Sequence, residues 1–123
     1  MGYRSKIAIA IHKDVQGEFL AFLNTEELMR EIFTSGWFEF EKDFQGKGHW
    51  LFQQGDIKWY DGSPSDYPEV DMFERFFHQM DETNETIQKY RFIRVGEQHD
   101  DIEERGQWHD SDLWVKREII AGW

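Results

Sequence analysis

Residues 4–13, Arg-Ser-Lys-Ile-Ala-Ile-Ala-Ile-His-Lys, decide the fold of this chain. The isoleucines at positions 7, 9 and 11 alternate with two alanines. Successive side chains of a strand point to opposite faces, so the isoleucines share one face and the alanines share the other. Because both faces are apolar, this segment is predicted to be a central strand that helices cover on at least one side.

Helical periodicity follows the first strand over residues 14–33 and returns over residues 69–80. The first stretch is interrupted at Asn24, which together with Glu27 predicts a capping box that restarts the helix. The second stretch begins after Pro68, a residue that suits the first turn of a helix. The second helix has one apolar stripe at helical spacing, formed by Val70, Phe73, Phe77 and Met80.

The remaining apolar segments are strand-like. Their alternation or their β-branched and aromatic content predicts strands, and Gln45-Gly46-Lys47-Gly48 predicts a hairpin turn between the first two. Residues 96–112 are polar and acidic, and they are predicted to connect the last two strands. In chain order the predicted strands are 37–44, then 49–52 and 57–60 around a tight turn or bulge at 54–56, then 89–95, and finally 113–120.

These elements predict a single α+β domain over residues 1–123 in the order β-α-β-β-α-β-β. The simplest packing places two helices on one face of an antiparallel sheet. The first six elements match the ferredoxin-like order, and the last strand is expected to extend the edge of the sheet.

The composition indicates a folded domain and excludes several classes of protein. Aromatic residues make up 17% of the chain, and each buries about 150–250 Å², which argues against disorder. The absence of cysteine excludes disulfides, thiol catalysis and thiolate zinc sites. The longest apolar run, residues 7–11, is far shorter than the ~20 residues that cross a bilayer. We expect a cytoplasmic protein without a cofactor.

Negative charge is concentrated in one part of the chain. The formal net charge is −11, and residues 61–112 hold 15 acids against 5 bases. Acids near a helix start suit the helix dipole, but a second cluster over residues 97–104 has no such explanation. That cluster could be a solvated hairpin arm, a partner-binding arm or a divalent-metal site, although it lacks the spacing of an EF-hand.

The leading hypothesis is a non-enzymatic module that binds a basic surface of another protein. Charge would steer the encounter, and aromatic side chains near loops would anchor it. Direct binding to nucleic acid or to anionic lipid is disfavoured by repulsion. The candidate binding residues are the acids Glu97, Asp100, Asp101, Glu103 and Glu104 with the aromatics Tyr67 and Trp108.

A second hypothesis is a metal-dependent nuclease. Asp43, followed by Asp56 and Lys58, resembles the Asp…(Asp/Glu)-x-Lys arrangement of restriction-type nucleases. There two carboxylates bind magnesium and the lysine orients the attacking water. The negative charge of the chain opposes DNA binding. The five histidines show no zinc-binding spacing and are expected on the surface or at strand edges.

Three stretches resemble small uncharacterised proteins of tailed phages and prophages. They are residues 1–5 (Met-Gly-Tyr-Arg-Ser), 58–61 (Lys-Trp-Tyr-Asp) leading into 67–70 (Tyr-Pro-Glu-Val), and 92–97 (Phe-Ile-Arg-Val-Gly-Glu) leading into 100–103 (Asp-Asp-Ile-Glu). The resemblance implies a phage setting and a ferredoxin-like fold, but it implies no activity and no functional residue. In that setting, the leading hypothesis places the protein in the bacterial cytoplasm, where its acidic segment engages a basic surface of a host protein. A homo-oligomeric accessory or structural phage protein is the third hypothesis.

Overall fold

The computed structural model describes residues 5–23, 25–57, 59, 68–96 and 101–111. These residues form five strands and four α-helices. Short 3₁₀ turns follow the first and the last strand, at Lys13–Val15 and His109–Ser111. The elements in chain order are β1 (Ser5–Ile11), α1 (Gln16–Phe22), α2 (Glu26–Phe33), β2 (Glu39–Phe44), β3 (His49–Ile57), α3 (Pro68–Met80), α4 (Asn84–Ile87), β4 (Tyr90–Gly96) and β5 (Ile102–Arg105).

Strand β1 is the centre of a fully antiparallel sheet with the order β2-β3-β1-β4-β5. Ile9 lies between Phe52 of β3 and Phe92 of β4. All five residues from Ile7 to Ile11 are completely buried. The predicted α+β class, the antiparallel sheet and the central position of this strand are therefore confirmed.

The isoleucine face of β1 is covered by α1, α2 and α3, and the core there is largely aromatic. The ring of Phe19 lies 5.6 Å from Phe52, 5.5 Å from Phe73 and 5.2 Å from Phe76, measured between centroids. Offset and edge-to-face pairs at such distances add to the free energy gained by burying the rings. This aromatic cluster packs both α1 and α3 against the middle of the sheet, on the isoleucine face.

The alanine face of the sheet has its own smaller core, formed by Ala8, Ala10, Leu51, Ile93 and Trp108. The short alanine side chains leave space for a large ring directly above β1. Trp108 fills it and is 7% exposed. Its backbone N–H donates to the carbonyl of Tyr90 at 3.2 Å, which fixes this segment beside β4.

The chain reaches the alanine face by turning at Gly106, immediately after β5. Gly106 has φ = +83°, and a Cβ atom built there would lie 2.2 Å from the carbonyl oxygen of Tyr90. Only glycine fits, because the turn requires both left-handed backbone and a close approach to β4. Arg91 donates to the Gly106 carbonyl at 3.0 Å and ties the turn to the sheet.

Two boundaries differ from the sequence predictions. The cap of α2 is Thr25, whose hydroxyl accepts from Leu28 N–H at 3.1 Å, so the helix begins one residue later than a cap at Asn24 would place it. The two strand-like pieces 49–52 and 57–60 are one strand up to Ile57, with a bulge opposite Ser5 to Ile7. The bulge itself was predicted, but the chain pairs on both sides of it.

The fifth strand is also in a different place. Residues 102–105, predicted as part of a polar connection, form β5 because Glu103 and Glu104 pair with Arg94 and Arg91 of β4. Alternation of apolar residues could not reveal this strand, since polar contacts and not burial stabilise it. The predicted strand at 113–120 lies outside the described residues.

Replacing Gly106 with alanine is predicted to destabilise the protein. Left-handed backbone at a non-glycine residue costs about 1–3 kcal/mol, and the clash with an immobile carbonyl adds to it. Urea unfolding of Gly106→Ala should show a clearly lower midpoint than wild type. Gly55→Ala is the matched control, because a Cβ at Gly55 meets nothing within 4 Å. Equal midpoints for the two variants would contradict the proposed close approach.

Candidate functional site

The described acids of the 97–104 cluster are paired with arginines of β4. Both guanidinium nitrogens Nη1 and Nη2 of Arg94 donate to the carboxylate of Asp101, at 3.1 and 3.0 Å. The third nitrogen, Nε, donates to Glu103 at 3.1 Å. The strand register produces this arrangement, since Arg94 lies directly opposite Glu103. Bidentate pairs of this kind are among the stronger hydrogen bonds in proteins.

These charges are largely removed from water. The side chain of Arg94 is 13% exposed, that of Asp101 31% and that of Glu103 20%. Burial disfavours the guanidinium charge, but the hydrogen bonds and charges of Asp101 and Glu103 outweigh it, and the pKa of Arg94 is raised. On the opposite face of the same strand pair, Arg91 forms an ion pair with Glu104. The three acids are therefore components of the β4–β5 pairing.

A second network ties β5 to α3 over the ring of Phe77. Arg105 binds Glu74 at 2.6 Å and Asp81 at 3.3 Å, and its guanidinium lies 5.1 Å from the centroid of the Phe77 ring. The hydroxyl of Tyr90 donates to Asp81 at 2.7 Å. Burial and the neighbouring Asp81 carboxylate raise the pKa of Tyr90, so the phenol stays protonated and keeps donating.

The structure therefore separates the predicted binding residues into groups. Asp101, Glu103 and Glu104 lie at one edge of the sheet, each paired with an arginine. Trp108 is buried over the alanine face, where its ring serves the packing of this chain. The predicted residues Glu97, Asp100 and Tyr67 lie outside the described residues.

The predicted nuclease residues are not brought together. Asp43 lies at the β2–β3 turn, where its Oδ1 accepts from Gly48 N–H at 2.7 Å. Asp56 lies near the other end of β3, seven residues beyond His49. At about 3.3 Å per residue the two are roughly 20 Å apart, whereas ligands of one Mg²⁺ lie within ~2.1 Å of it. Lys58 lies outside the described residues.

Charge is divided between the two layers of the described structure. We define the helical layer as residues 13–23, 25–33 and 68–88; it holds eleven acids and three bases, a formal charge of −8. The sheet and its turns, residues 5–11, 39–57, 89–96 and 101–105, hold seven acids and seven bases. The eleven acids of the helical layer are Asp14, Glu18, Glu26, Glu27, Glu31, Glu69, Asp71, Glu74, Asp81, Glu82 and Glu85.

Sequence reasoning missed this division, because it followed charge along the chain and not across the fold. The helical layer also exposes two large apolar side chains, Leu20 at 40% and Met29 at 43%. Bases of the sheet reach into the layer at two places: Lys89 binds Asp14 at 3.1 Å, and Arg105 binds Glu74 and Asp81. Even with these two bases included, acids predominate in the layer.

One acid of the helical layer is buried. Glu69, in the first turn of α3, is 6% exposed. Burial raises the pKa of its carboxyl, its own backbone N–H opposes this, and the charges of Glu31 and Glu27 on α2 raise it further. Negative charges of the helical layer therefore raise the pKa of a carboxyl group that lies inside the fold.

Two histidines form an unexpected cluster at one end of the alanine face. The rings of His12 and His49 lie 4.3 Å apart, and Trp108 lies 5.1 Å from the first and 4.7 Å from the second. His49 is 4% exposed, so the predicted surface position is wrong for this residue. The signal was available: His12 continues the alternation of Ala8 and Ala10, which places it on the alanine face.

Three further features of the described residues bear on the kind of site: metal-ligand groups, clefts and membrane-spanning helices. No group of three or more His, Cys, Asp or Glu side chains that could hold a metal ion occurs within the described ranges. A shallow cleft of about 190 Å³ opens beside the β3 bulge, lined by Gly36, Trp37, Glu39, Gln53, Gln54 and Gly55. In the same part of the chain, no helix is long and apolar enough to cross a membrane.

Comparison of the chain with protein-family models, with curated proteins and with solved structures finds no match in any of the three.

Replacing Arg94 with methionine is predicted to lower stability by about 1–3 kcal/mol. The change removes hydrogen bonds to two carboxylates and leaves Asp101 and Glu103 close together and repelling each other. Urea unfolding at low and high salt should show a loss that shrinks with salt, since salt screens that repulsion. Arg75→Met, at an exposed position of α3, is the control. A loss no larger than that of the control would contradict the pairing.

Replacing Glu69 with glutamine is predicted to stabilise the protein near neutral pH. Because the folded-state pKa of Glu69 is raised, wild type loses stability as pH rises from below the unfolded value, about 4.3, through the folded value. The advantage of the variant should therefore vanish in acid. Urea unfolding across this pH range tests it, with Glu82→Gln as an exposed control. Destabilisation of Glu69→Gln at neutral pH would contradict the argument.

Proposed function

We propose that this chain is a non-enzymatic, acidic protein-binding module whose helical layer engages a basic surface of a host protein in the bacterial cytoplasm. The observation that carries the proposal is the division of charge, with −8 on the described helical layer and a balanced sheet. A one-sided field orients a protein as well as attracting it, so a basic partner would meet the helices first.

Exposed apolar side chains supply what charge alone does not. Electrostatic steering raises association rates more than affinity, whereas buried anchor residues slow dissociation. Leu20 and Met29 are large, more than a third exposed, and lie on the acidic layer. Methionine is flexible and adapts to irregular partner surfaces. We infer that these two side chains are the apolar anchors of the interface.

The 97–104 cluster has a smaller part in this proposal than the sequence suggested. Asp101 and Glu103 would have to leave Arg94 to bind a partner, and hydrogen bonds to charged groups contribute about 1.5–3 kcal/mol. Asp101, Glu103 and Glu104 therefore hold β5 in place in the proposed complex. Glu97 and Asp100, with Tyr67, remain candidate contacts.

We infer that the fold is ferredoxin-like with one added edge strand. Two features support this: β3 lies between β1 and β2, and β1 lies between β3 and β4. Each helical connection thus joins two strands that have a third strand between them, as in a split βαβ unit. Strand β5 extends the order beyond four strands. The phage origin rests on the resemblance of the three short stretches described above.

The proposed interface is tested by two variants that each remove three negative charges. One changes exposed acids of the helical layer, Glu18→Gln, Glu26→Gln and Glu82→Gln. The other changes exposed acids of β2, Glu39→Gln, Glu41→Gln and Asp43→Asn. Immobilised wild-type protein should retain a host protein at low salt and release it at high salt. The helical-layer variant should lose that partner, and the β2 variant should retain it.

The outcomes separate the hypotheses. Equal loss by both triple variants would contradict a helical-layer interface, and absence of any salt-sensitive partner would contradict the function itself. A Glu97→Gln/Asp100→Asn variant tests the remaining acids of the cluster, and its selective loss of the partner would assign the interface to these two acids. Light scattering of wild type examines the homo-oligomeric hypothesis, because a stable oligomer that buries Leu20 and Met29 would remove the proposed anchors.

A further inference from the structure

The His12–His49 pair is placed where a neutral imidazole fits and an imidazolium does not. In His49, Nδ1 accepts a hydrogen bond from the backbone N–H of Lys13 at 3.0 Å. In His12, Nδ1 accepts from the N–H of Asp14 at 3.0 Å and caps the 3₁₀ turn. An acceptor nitrogen carries no proton, so each neutral ring carries its proton on Nε2. A second proton can enter only at Nδ1, where it opposes a backbone N–H.

We propose that the His12–His49 pair is an acid-sensitive latch that holds residues 106–111 against the alanine face of the sheet and releases them when His49 is protonated. The indole of Trp108 packs against both imidazoles, so the pair and this segment share one contact surface. Release would uncover the apolar strip of Ala8, Ala10, Leu51 and Ile93. This device does not rest on the proposed host-protein interface.

His49 is the more sensitive of the two residues. Burial lowers its pKa, and the nearby charges of His12, Lys13 and Lys47 lower it further, with only Asp14 opposing. The positive charge of a protonated His12 would be partly compensated, because its Nδ1 lies 3.6 Å from a carboxylate oxygen of Asp14. Burial and Lys89 still lower the pKa of His12, with a smaller contribution from Lys13. From the 106–111 segment, the facing group is the uncharged indole of Trp108.

Hydrogen bonds attach the segment that would be released to α4 and to β4. Gln107 N–H donates to Ile87 at 2.7 Å, and Trp108 N–H donates to Tyr90 at 3.2 Å. Arg91 holds the carbonyl of Gly106 at 3.0 Å. Protonation of His49 at Nδ1 breaks the hydrogen bond from the backbone N–H of Lys13. It also places a positive charge beside Lys13, Lys47 and His12. The Trp108 indole, which lies at 76° to the His49 ring, carries no negative charge that could pair with an imidazolium.

Linkage gives the sign and size of the expected effect. Burial is the largest cause that lowers the pKa of His49, and the Trp108 ring supplies part of that burial, so the closed segment is most stable above the ordinary value of about 6.5 and loses stability as pH falls through that value. Between about pH 7.5 and about pH 5, opening of residues 106–111 should increase roughly tenfold.

Hydrogen exchange of individual amides tests the latch. Protection factors, corrected for the intrinsic pH dependence of exchange, should fall about tenfold for Gln107 and Trp108 in acid while those of β1 stay high. In His49→Gln the amide oxygen can still accept from Lys13, and the protection of these amides should no longer depend on pH. His78→Gln, an exposed histidine on α3, should behave as wild type.

Two results of the exchange experiment would overturn the proposal. Joint loss of protection in β1 and residues 106–111 would show global unfolding, and a wild-type pH dependence in His49→Gln would exclude His49 as the sensor. If His49→Gln packs poorly, the protection of Gln107 and Trp108 is low at every pH. The ratio of their protection factors between the two pH values still shows whether His49 is the sensor. NMR titration of the imidazole carbons provides a second measurement: the pKa of His49 must lie below the ordinary histidine value of about 6.5, and a pKa at or above that value would refute the latch.

Discussion

Strand β1 carries apolar side chains on both faces, and a strand of this kind is stable only when both faces are covered. The isoleucine face requires a thick cover, which the aromatic side chains of three helices provide. The alanine face requires a cover that reaches closer to the backbone, which Trp108 provides. A central position follows as well, since both edges of β1 find a partner strand in β3 and β4.

The need to cover the alanine face explains the path of the chain after β5. The segment must cross from the sheet edge to the middle of the sheet within a few residues. Gly106 permits this because it adopts a left-handed backbone conformation close to the Tyr90 carbonyl. Arg91 stabilises the turn by a hydrogen bond to the Gly106 carbonyl. The same path brings Trp108 against His12 and His49. The proposed acid-sensitive latch is thus a consequence of how the second face is closed.

Charge follows the same division into layers. Arginines occur where the edge strand must be attached, at Arg91, Arg94 and Arg105. The carboxylate partners of Arg91 and Arg94 are among the residues that look most functional in the sequence. Pairing removes these acids from the exposed negative field without changing the net charge. The field that remains belongs mainly to the helices, and the buried Glu69 shows that it acts inside the fold as well as outside.

The sequence by itself determined β1, the helical segments, the hairpin at 45–48 and the α+β class, because local alternation, periodicity and turn residues encode them. It also located the acids but not their use. Only the tertiary structure decided that Asp101 and Glu103 face Arg94, that Asp43 and Asp56 lie far apart, and that the helical layer is the acidic one. The reason is physical: pairing and layer charge depend on strand register and on contacts between residues distant in the chain, which no local pattern specifies.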